Sequence, residues 1–151
     1  MPDLTPIRFR LPLPPSTNSL YATVVLGDSG TRTRRISSAA ARRFRVAALP
    51  VLDLIEGDAE NAATLAIARS AFWGISVAAY FASPRRRDLD DVLKIAIDVI
   101  GEGLRLADNR LVDLHASKYL APLEPRLEIE LEALEDWSFR DEFDVLPAKP
   151  V

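Results

Sequence analysis

The segment 72–103, FWGISVAAYFASPRRRDLDDVLKIAIDVIGEG, holds an apolar stretch, a charged connection and a second apolar stretch in succession. Residues 72–82 are apolar, aromatic and partly β-branched, which predicts a central β-strand. Residues 91–103 have apolar side chains around most of a helical circumference, which predicts a buried helix that ends at Gly101 or Gly103. A strand followed by a buried helix favours a fold that mixes α and β elements.

Four further segments have the composition of β-strands. Residues 7–11 and 125–134 alternate apolar and polar side chains, and residues 21–26 are rich in β-branched ones. Residues 111–120 follow the helix and form the last candidate. The order of elements predicts a single α/β (α+β) domain with a mixed β-sheet and two main helices.

The other main helix is predicted between the amino-terminal strands and the central strand. It begins at Ser37 or Ser38, because serine is a favoured N-cap and good helix formers follow. Pro50 is expected to end or kink it, although residues 51–56 could continue the helix after a bend. Residues 57–64, GDAENAAT, are predicted to be a polar connection.

Composition limits the kinds of protein that this chain can be. Its 151 residues fit one domain, and 48% hydrophobic with 27% charged residues is typical of a folded globular protein. Cysteine is absent, which excludes disulfides, thiol catalysis and cysteine-ligated zinc. The first 16 residues lack the pattern of a signal peptide, and no apolar stretch reaches the roughly 20 residues of a spanning helix. We therefore expect a cytoplasmic protein with no membrane partner.

The net charge of −3 hides an uneven distribution. Residues 123–151 carry nine acidic and three basic side chains, so the preceding residues have a net charge of +3. This contrast indicates a basic body at 1–122 followed by an acidic segment. The predicted organisation is one domain at 1–134 and an acidic C-terminal tail at 135–151. The segment 31–45 contains no acidic residue, and its six arginines are Arg32, Arg34, Arg35, Arg42, Arg43 and Arg45.

The decapeptide RRRDLDDVLK (85–94) sets three cations against three carboxylates. Asp88 and Asp90 are two residues apart, so in an extended segment their side chains point the same way. Converging carboxylates favour a bound cation, and Mg²⁺ is commonly held by one or two carboxylates plus a substrate phosphate. Lys94 lies one turn into the helix and could reach that phosphate or the attacking water. The cations expected beside a phosphate backbone are Arg85, Arg86 and Arg87.

A purely structural explanation of the same decapeptide stays open. Asp90 or Asp91 could cap the helix, and each has the spacing of an ordinary helical ion pair with Lys94. Asp108, in the loop after the helix, favours a site instead, because βαβ-like packing could bring both helix ends to one sheet edge. Three oxygen ligands, a lysine and a basic rim suit metal-assisted phosphodiester hydrolysis.

Other residues favour structural roles. His115 is the only histidine and lies in a predicted strand, which favours a core or surface histidine over a metal ligand. Trp73 and Phe72 are expected in the core rather than on a base-stacking surface. In the tail, Trp137 and Phe139 could serve packing or a partner. The chain has no glycine-rich phosphate loop.

Three linked motifs resemble the RusA family of Holliday junction resolvases. They are LPLPPSTNSLY (11–21), RRRDLDDVLKIAID (85–98) and DNRLVDLHASK (108–118), and the resemblance spans roughly residues 8–134. It implies that Asp88 and Asp90 match two catalytic carboxylates that bind metal, and that Lys94 matches the catalytic lysine.

The resemblance leaves two positions that depart from the family pattern. The third carboxylate belongs to a loop anchored by the aliphatic pair 111–112 and by Lys118, which makes Asp108 the third catalytic and metal-binding residue. Ungapped counting would place Asn109 there instead. Asp91 stands where the family has asparagine and adds a negative charge near the metal.

The resemblance further implies a homodimer that requires Mg²⁺, with Mn²⁺ as a possible substitute, and that nicks opposing strands of a four-way DNA junction in recombination and repair. Two alternatives stay open. One is a catalytically silent relative that binds DNA, which a missing third ligand would favour. The other is a metal-dependent phosphohydrolase acting on small nucleotides, against which the arginine-rich segment and the lack of a phosphate loop both count.

Overall fold

The structure is a computed structural model that describes residues 4–15, 21–26, 32–84 and 87–139, with only the backbone described at 21–26 and 32–37. Its strands are β1 (Ile7–Leu11), β2 (Tyr21–Leu26), β3 (Arg32–Ser37), β4 (Phe72–Phe81), β5 (Leu111–Leu120) and β6 (Arg126–Leu134). Its α-helices are α1 (Ala39–Gly57), α2 (Ala62–Ser70) and α3 (Asp90–Gly103), and short 3-10 turns occur at Ala59–Asn61 and Asp108–Arg110.

Four strands form one mixed sheet in the order β1-β6-β4-β5. Strand β6 is antiparallel to both β1 and β4, whereas β4 and β5 are parallel and are connected by α3, which makes a βαβ unit. Strands β2 and β3 form a separate antiparallel pair. This arrangement confirms the predicted single α+β domain with a mixed sheet.

The core lies between one face of the sheet and the three helices. Strand β6 shows the predicted alternation, with Leu127, Ile129 and Leu131 buried and the glutamates between them more exposed. In β4, the side chain of Trp73 is fully buried and its indole N–H donates to the carbonyl of Ala107 at 3.0 Å. Trp73 is therefore a core residue, as predicted.

Helix α1 begins where the sequence predicts and runs further than Pro50 suggests. The Ser38 hydroxyl accepts a hydrogen bond from the backbone N–H of Ala41 at 3.1 Å, which confirms the serine cap. Pro50 lies inside the helix, on its exposed side, and Leu52 and Ile55 beyond it are buried. Burial of such side chains stabilises the fold by about 1.5–3 kcal/mol each, which offsets the roughly 3 kcal/mol that an internal proline costs.

Two elements were not predicted from the sequence. The polar connection expected at 57–64 is wrong, because α2 begins inside it at Ala62. Thr64 is buried there and its hydroxyl donates to the carbonyl of Thr5 at 2.9 Å, so a polar side chain occupies a core-facing helical position. Strand β3 was also missed, because its arginine-rich sequence lacks the apolar alternation of a strand.

The βαβ connection places the two ends of α3 near opposite ends of the parallel strands β4 and β5. The carboxyl end of β4 precedes α3, and Phe81 in that end pairs with Leu120. At the amino ends of the two strands, Trp73 pairs with Leu111. The chain that follows α3 is fixed by a hydrogen bond from the N–H of Leu106 to the carbonyl of Gly101 at 2.7 Å. A crossover helix runs antiparallel to the strands that it connects, so residues before and after it lie at opposite ends of those strands.

Candidate metal centre

Three carboxylates meet at the amino-terminal end of α3. Asp88, Asp90 and Asp91 each offer an oxygen, and these oxygens lie within 4.8 Å of one another. Asp88 and Asp90 are exposed and Asp91 is half-buried. The predicted convergence of Asp88 with Asp90 is therefore confirmed, and Asp91 joins them.

The geometry that brings the carboxylates together differs from the predicted one. Leu89 already has helical dihedral angles, with φ −63° and ψ −38°, so Asp90 lies in the first turn of α3 and not in an extended segment. The backbone N–H of Asp91 donates to the carbonyl of Asp88 at 3.1 Å, which folds the chain back over Asp88. A tight turn, rather than the period of a strand, makes the cluster.

The capping explanation for Asp90 or Asp91 is also wrong. Leu89 occupies the N-cap position and makes no side-chain capping bond, and Asp90 and Asp91 already lie in the first turn of the helix. The helix dipole still favours negative charge in this first turn. Three carboxylates this close repel one another, however, and a hard divalent cation with oxygen ligands would relieve that repulsion.

Lys94 follows the cluster by one turn of α3. It is exposed, and it lies four residues after Asp90 and three after Asp91, so the three side chains share one side of the helix. This is the placement that the sequence predicts for a cation next to Asp90 and Asp91.

Asp108 does not join the cluster within one chain, so the predicted three-carboxylate site of Asp88, Asp90 and Asp108 is wrong in that form. Asp108 begins the turn before β5, where its Oδ1 lies 3.2 Å from the position that a Cβ on Gly101 would occupy. Gly101 is eleven residues beyond Asp90, which is about 16 Å along the helix axis. Asn109 lies in the same turn, so neither alignment of this loop brings a ligand to the cluster.

Arg87 precedes the cluster and is held inside the domain. Its guanidinium donates to the carbonyl of Pro14 and lies 5.5 Å from the centre of the Phe81 ring. Burial lowers the pKa of Arg87, and the charge of Asp91 opposes that shift. This half-buried position differs from the open phosphate contact predicted for Arg87, whereas Arg85 and Arg86 lie outside the described residues.

Lys118 was used in the sequence only to align the third motif, yet the structure brings it to Arg87, the residue before the cluster. Its ammonium donates to the carbonyl of Arg87 at 2.7 Å and lies 5.1 Å from the centre of the Phe81 ring. The spacing of 31 residues between donor and acceptor explains why no local pattern in the sequence pointed to this contact.

The arginines predicted to bind DNA fall into two groups. Arg42, Arg43 and Arg45 are exposed on α1, as predicted. Arg43 lines a groove of about 420 Å³ together with Arg87, whereas Arg45 forms an ion pair with Glu102 near the end of α3. The arginines on β3, whose side chains are outside the described part of the chain, are Arg32, Arg34 and Arg35.

The histidine and the aromatic residues 72 and 139 make contacts in other parts of the described domain. His115 is a surface residue, with Nε2 3.0 Å from a carboxylate oxygen of Asp113, in agreement with a structural role. Phe72 was predicted to lie in the core, and that prediction is wrong. Phe72 is half-buried and makes an edge-to-face contact with Phe139 at 5.5 Å. The first residues of the predicted tail therefore pack on the domain, and Trp137 is 38% exposed; residues 140–151 lie outside the described chain.

A second concave surface lies on the face of the sheet that the helices leave open. It has a volume of about 610 Å³, and its charged side chains form ion pairs with each other. Arg8 contacts Glu130 at 2.7 Å and Arg10 contacts Glu128 at 3.1 Å. A hydrogen bond from Arg126 lowers the pKa of Glu128, so its charge is also matched by a neighbouring cation. These pairings favour a solvated ionic surface over a metal site.

No protein-family model matches this chain, and none of the curated proteins is significantly similar in sequence. Within the described residues, the helices are too short or too polar to cross a membrane.

Proposed function

We propose that this chain is a divalent-cation-dependent endonuclease that acts on branched DNA. The observation that carries the proposal is the cluster of Asp88, Asp90 and Asp91 at the start of α3, with oxygens within 4.8 Å of one another. The resemblance of the three sequence motifs to RusA resolvases supports the substrate class. Mg²⁺ fits this set of oxygen donors, and Mn²⁺ accepts the same ligands.

The three carboxylates would hold the metal, and Lys94 would contact the phosphate. A bound metal ion supplies polarisation of the phosphodiester and activation of water. The carboxylates neutralise part of the metal charge and fix its position at the helix start. Because Lys94 lies one turn further along the same side of α3, its ammonium is suited to stabilise the charge of the scissile phosphate.

The exposed arginines of α1 would position the DNA. Arg42 and Arg43 lie in the first two turns of α1, and Arg43 lines the groove that Arg87 also borders. Contacts of this kind neutralise phosphates without reading base sequence, which suits an enzyme that recognises junction shape. We further propose a homodimer, which would present two clusters to the two opposing strands of a junction.

A second candidate function is a catalytically silent protein that binds branched DNA. The position of Asp108 favours it, because within one chain that carboxylate is at the far end of α3 and cannot share a metal with Asp88 and Asp90. In the endonuclease, Asp91 takes the place of the third ligand. Cleavage activity distinguishes the two functions directly.

The decisive experiment incubates the protein with a labelled four-way junction and with a linear duplex of the same sequence. We expect paired nicks in the junction with Mg²⁺ or Mn²⁺, none with EDTA, and little cutting of the duplex. Junction binding without cleavage in either metal would support the silent protein instead. Absence of both binding and cleavage would contradict both functions.

A further inference from the structure

We propose that Lys118 is a positioning residue for the metal centre, because its ammonium fixes the peptide group that carries Asp88. This inference rests on the proposed function, since it concerns the same carboxylate cluster. Lys118 would act through the backbone of Arg87 and Asp88, without contacting the substrate.

The hydrogen bond from Lys118 meets the chain immediately before the first carboxylate. The carbonyl of Arg87 that accepts it, at 2.7 Å, belongs to the planar peptide group that continues into Asp88. A charge-assisted hydrogen bond at this distance is strong and directional. It therefore limits rotation of the peptide group from which the Asp88 side chain extends.

A second set of contacts holds the same residue from the other side. The guanidinium of Arg87 donates to Pro14, so the carbonyl and the side chain of one residue are bound by two different segments of the chain. Both cations also lie over the buried ring of Phe81, at 5.5 Å for Arg87 and 5.1 Å for Lys118. Asp88 lies before α3, and only its own carbonyl, which accepts the N–H of Asp91 at 3.1 Å, is bound by the helix. The contacts of Arg87 hold the peptide group on the other side of Asp88.

Positioning and simple charge predict opposite effects on metal binding. An ammonium near three carboxylates repels a divalent cation, so a lysine that acted only through its charge would weaken binding, and its removal would strengthen it. A lysine that holds Asp88 in place does the reverse, because its removal lets the first ligand move. Residues that orient metal ligands in this way typically change metal affinity by about 10–100-fold when they are replaced.

The test measures Mn²⁺ binding to the full chain by the electron paramagnetic resonance of free Mn²⁺. Lys118→Met keeps an unbranched aliphatic side chain and removes the ammonium, and we expect its Kd for Mn²⁺ to rise about 10-fold. Lys118→Arg keeps a cationic donor and should recover most of the affinity. Lys94→Met, which removes the same charge from α3, is the charge control and should bind Mn²⁺ at least as tightly as the wild type.

Thermal melts with and without Mn²⁺ separate positioning from a general structural role. If Lys118→Met lowers the melting temperature of the metal-free protein but gains as much stability from Mn²⁺ as the wild type, the inference is wrong. Equal or tighter Mn²⁺ binding by Lys118→Met also overturns it and leaves the proposed function intact. A wild-type protein that binds no Mn²⁺ overturns the proposed function, and this inference with it.

Discussion

The two ends of helix α3 differ in how the carboxylates beside them are paired. At its amino-terminal end, Asp88, Asp90 and Asp91 place three carboxylates within 4.8 Å of one another, two of them exposed. At its carboxyl end, Glu56 from α1 accepts hydrogen bonds from Arg69 and Arg105.

Arg69 also closes the carboxyl end of α3. Its guanidinium donates to the carbonyl of Leu104, the residue that caps the helix, at 2.9 and 3.1 Å. Burial acts to raise the pKa of Glu56, but the hydrogen bonds from Arg105 and Arg69 outweigh it and leave that pKa below its ordinary value. Each carboxylate oxygen of Glu56 at this end has an arginine partner, whereas at the other end three carboxylates lie together and Arg87 is a neighbouring cation of Asp91.

The two ends of α3 differ in how much free energy a bound cation would contribute. Carboxylates that already have arginine partners contribute to folding, and a metal ion would have to displace those partners. Carboxylates gathered in one helical turn repel each other, and a divalent cation gains from all of them at once. The amino-terminal end of α3 is therefore suited to bind a metal, and its carboxyl end is suited to hold the helix against α1 and α2.

The largest expected effect comes from removing a carboxylate at the amino-terminal end of α3. Asp90→Asn should reduce junction cleavage by more than about 100-fold, because a lost ligand removes several kcal/mol of metal-dependent stabilisation of the transition state. Junction binding should persist, since the proposed phosphate contacts come from arginines. Nicking and gel-shift assays on one preparation measure both quantities, with Asp98→Asn, an exposed aspartate further along α3, as the matched control. Full cleavage by Asp90→Asn would remove it from the site.

Removing positive charge from α1 tests the proposed DNA-binding surface of the protein. The double variant Arg42→Gln and Arg43→Gln should bind junctions more weakly, and the slope of log affinity against log salt should decrease by about 2 because two phosphate contacts are lost. Arg8→Gln with Arg10→Gln makes the same change in net charge on the open face of the sheet and should leave the slope unchanged. An unchanged slope in the α1 variant would place this helix away from DNA.

Removing the ion pairs at the carboxyl end of α3 should affect stability instead of cleavage. Glu56→Gln should lower the free energy of unfolding by about 1 kcal/mol at pH 7, because a partly buried carboxylate loses its two arginine partners. The folded-state pKa of Glu56 lies below the ordinary value of 4.5, so its contribution is present above pH 4.5 and is lost as pH falls through the folded-state pKa. Urea unfolding of both proteins between pH 3 and 7 should show the difference shrinking towards acid. A constant difference would show that the ion pairs do not stabilise the fold.

The smallest expected effect concerns Asp108, which sharpens the separation between the two ends. Asp108→Asn should leave Mn²⁺ affinity unchanged, because this carboxylate is about 16 Å along α3 from Asp90. Asp91→Asn, measured in the same way, should weaken Mn²⁺ binding. A loss of Mn²⁺ affinity in Asp108→Asn would show that a second copy of the chain supplies this carboxylate to the cluster.

Much of the fold was predictable because its cause is local. The apolar run of β4, the alternation of β6 and the serine cap of α1 each place a property of a few neighbouring residues at a defined period. Helix α2 was missed because its core face is short and includes Thr64. The burial of Thr64 depends on a hydrogen bond to Thr5, 59 residues earlier in the chain.

The candidate site divides along the same line. That Asp88 and Asp90 lie together with a lysine one turn later is a matter of spacing within ten residues, and the sequence determined it. That Asp108 lies apart, that Arg87 is held by Pro14 and that Lys118 reaches Arg87 were decided only by the tertiary structure. A crossover helix between parallel strands separates its two ends and brings the carboxyl ends of β4 and β5 together, and no pattern within a single segment records which distant residues that connection will join.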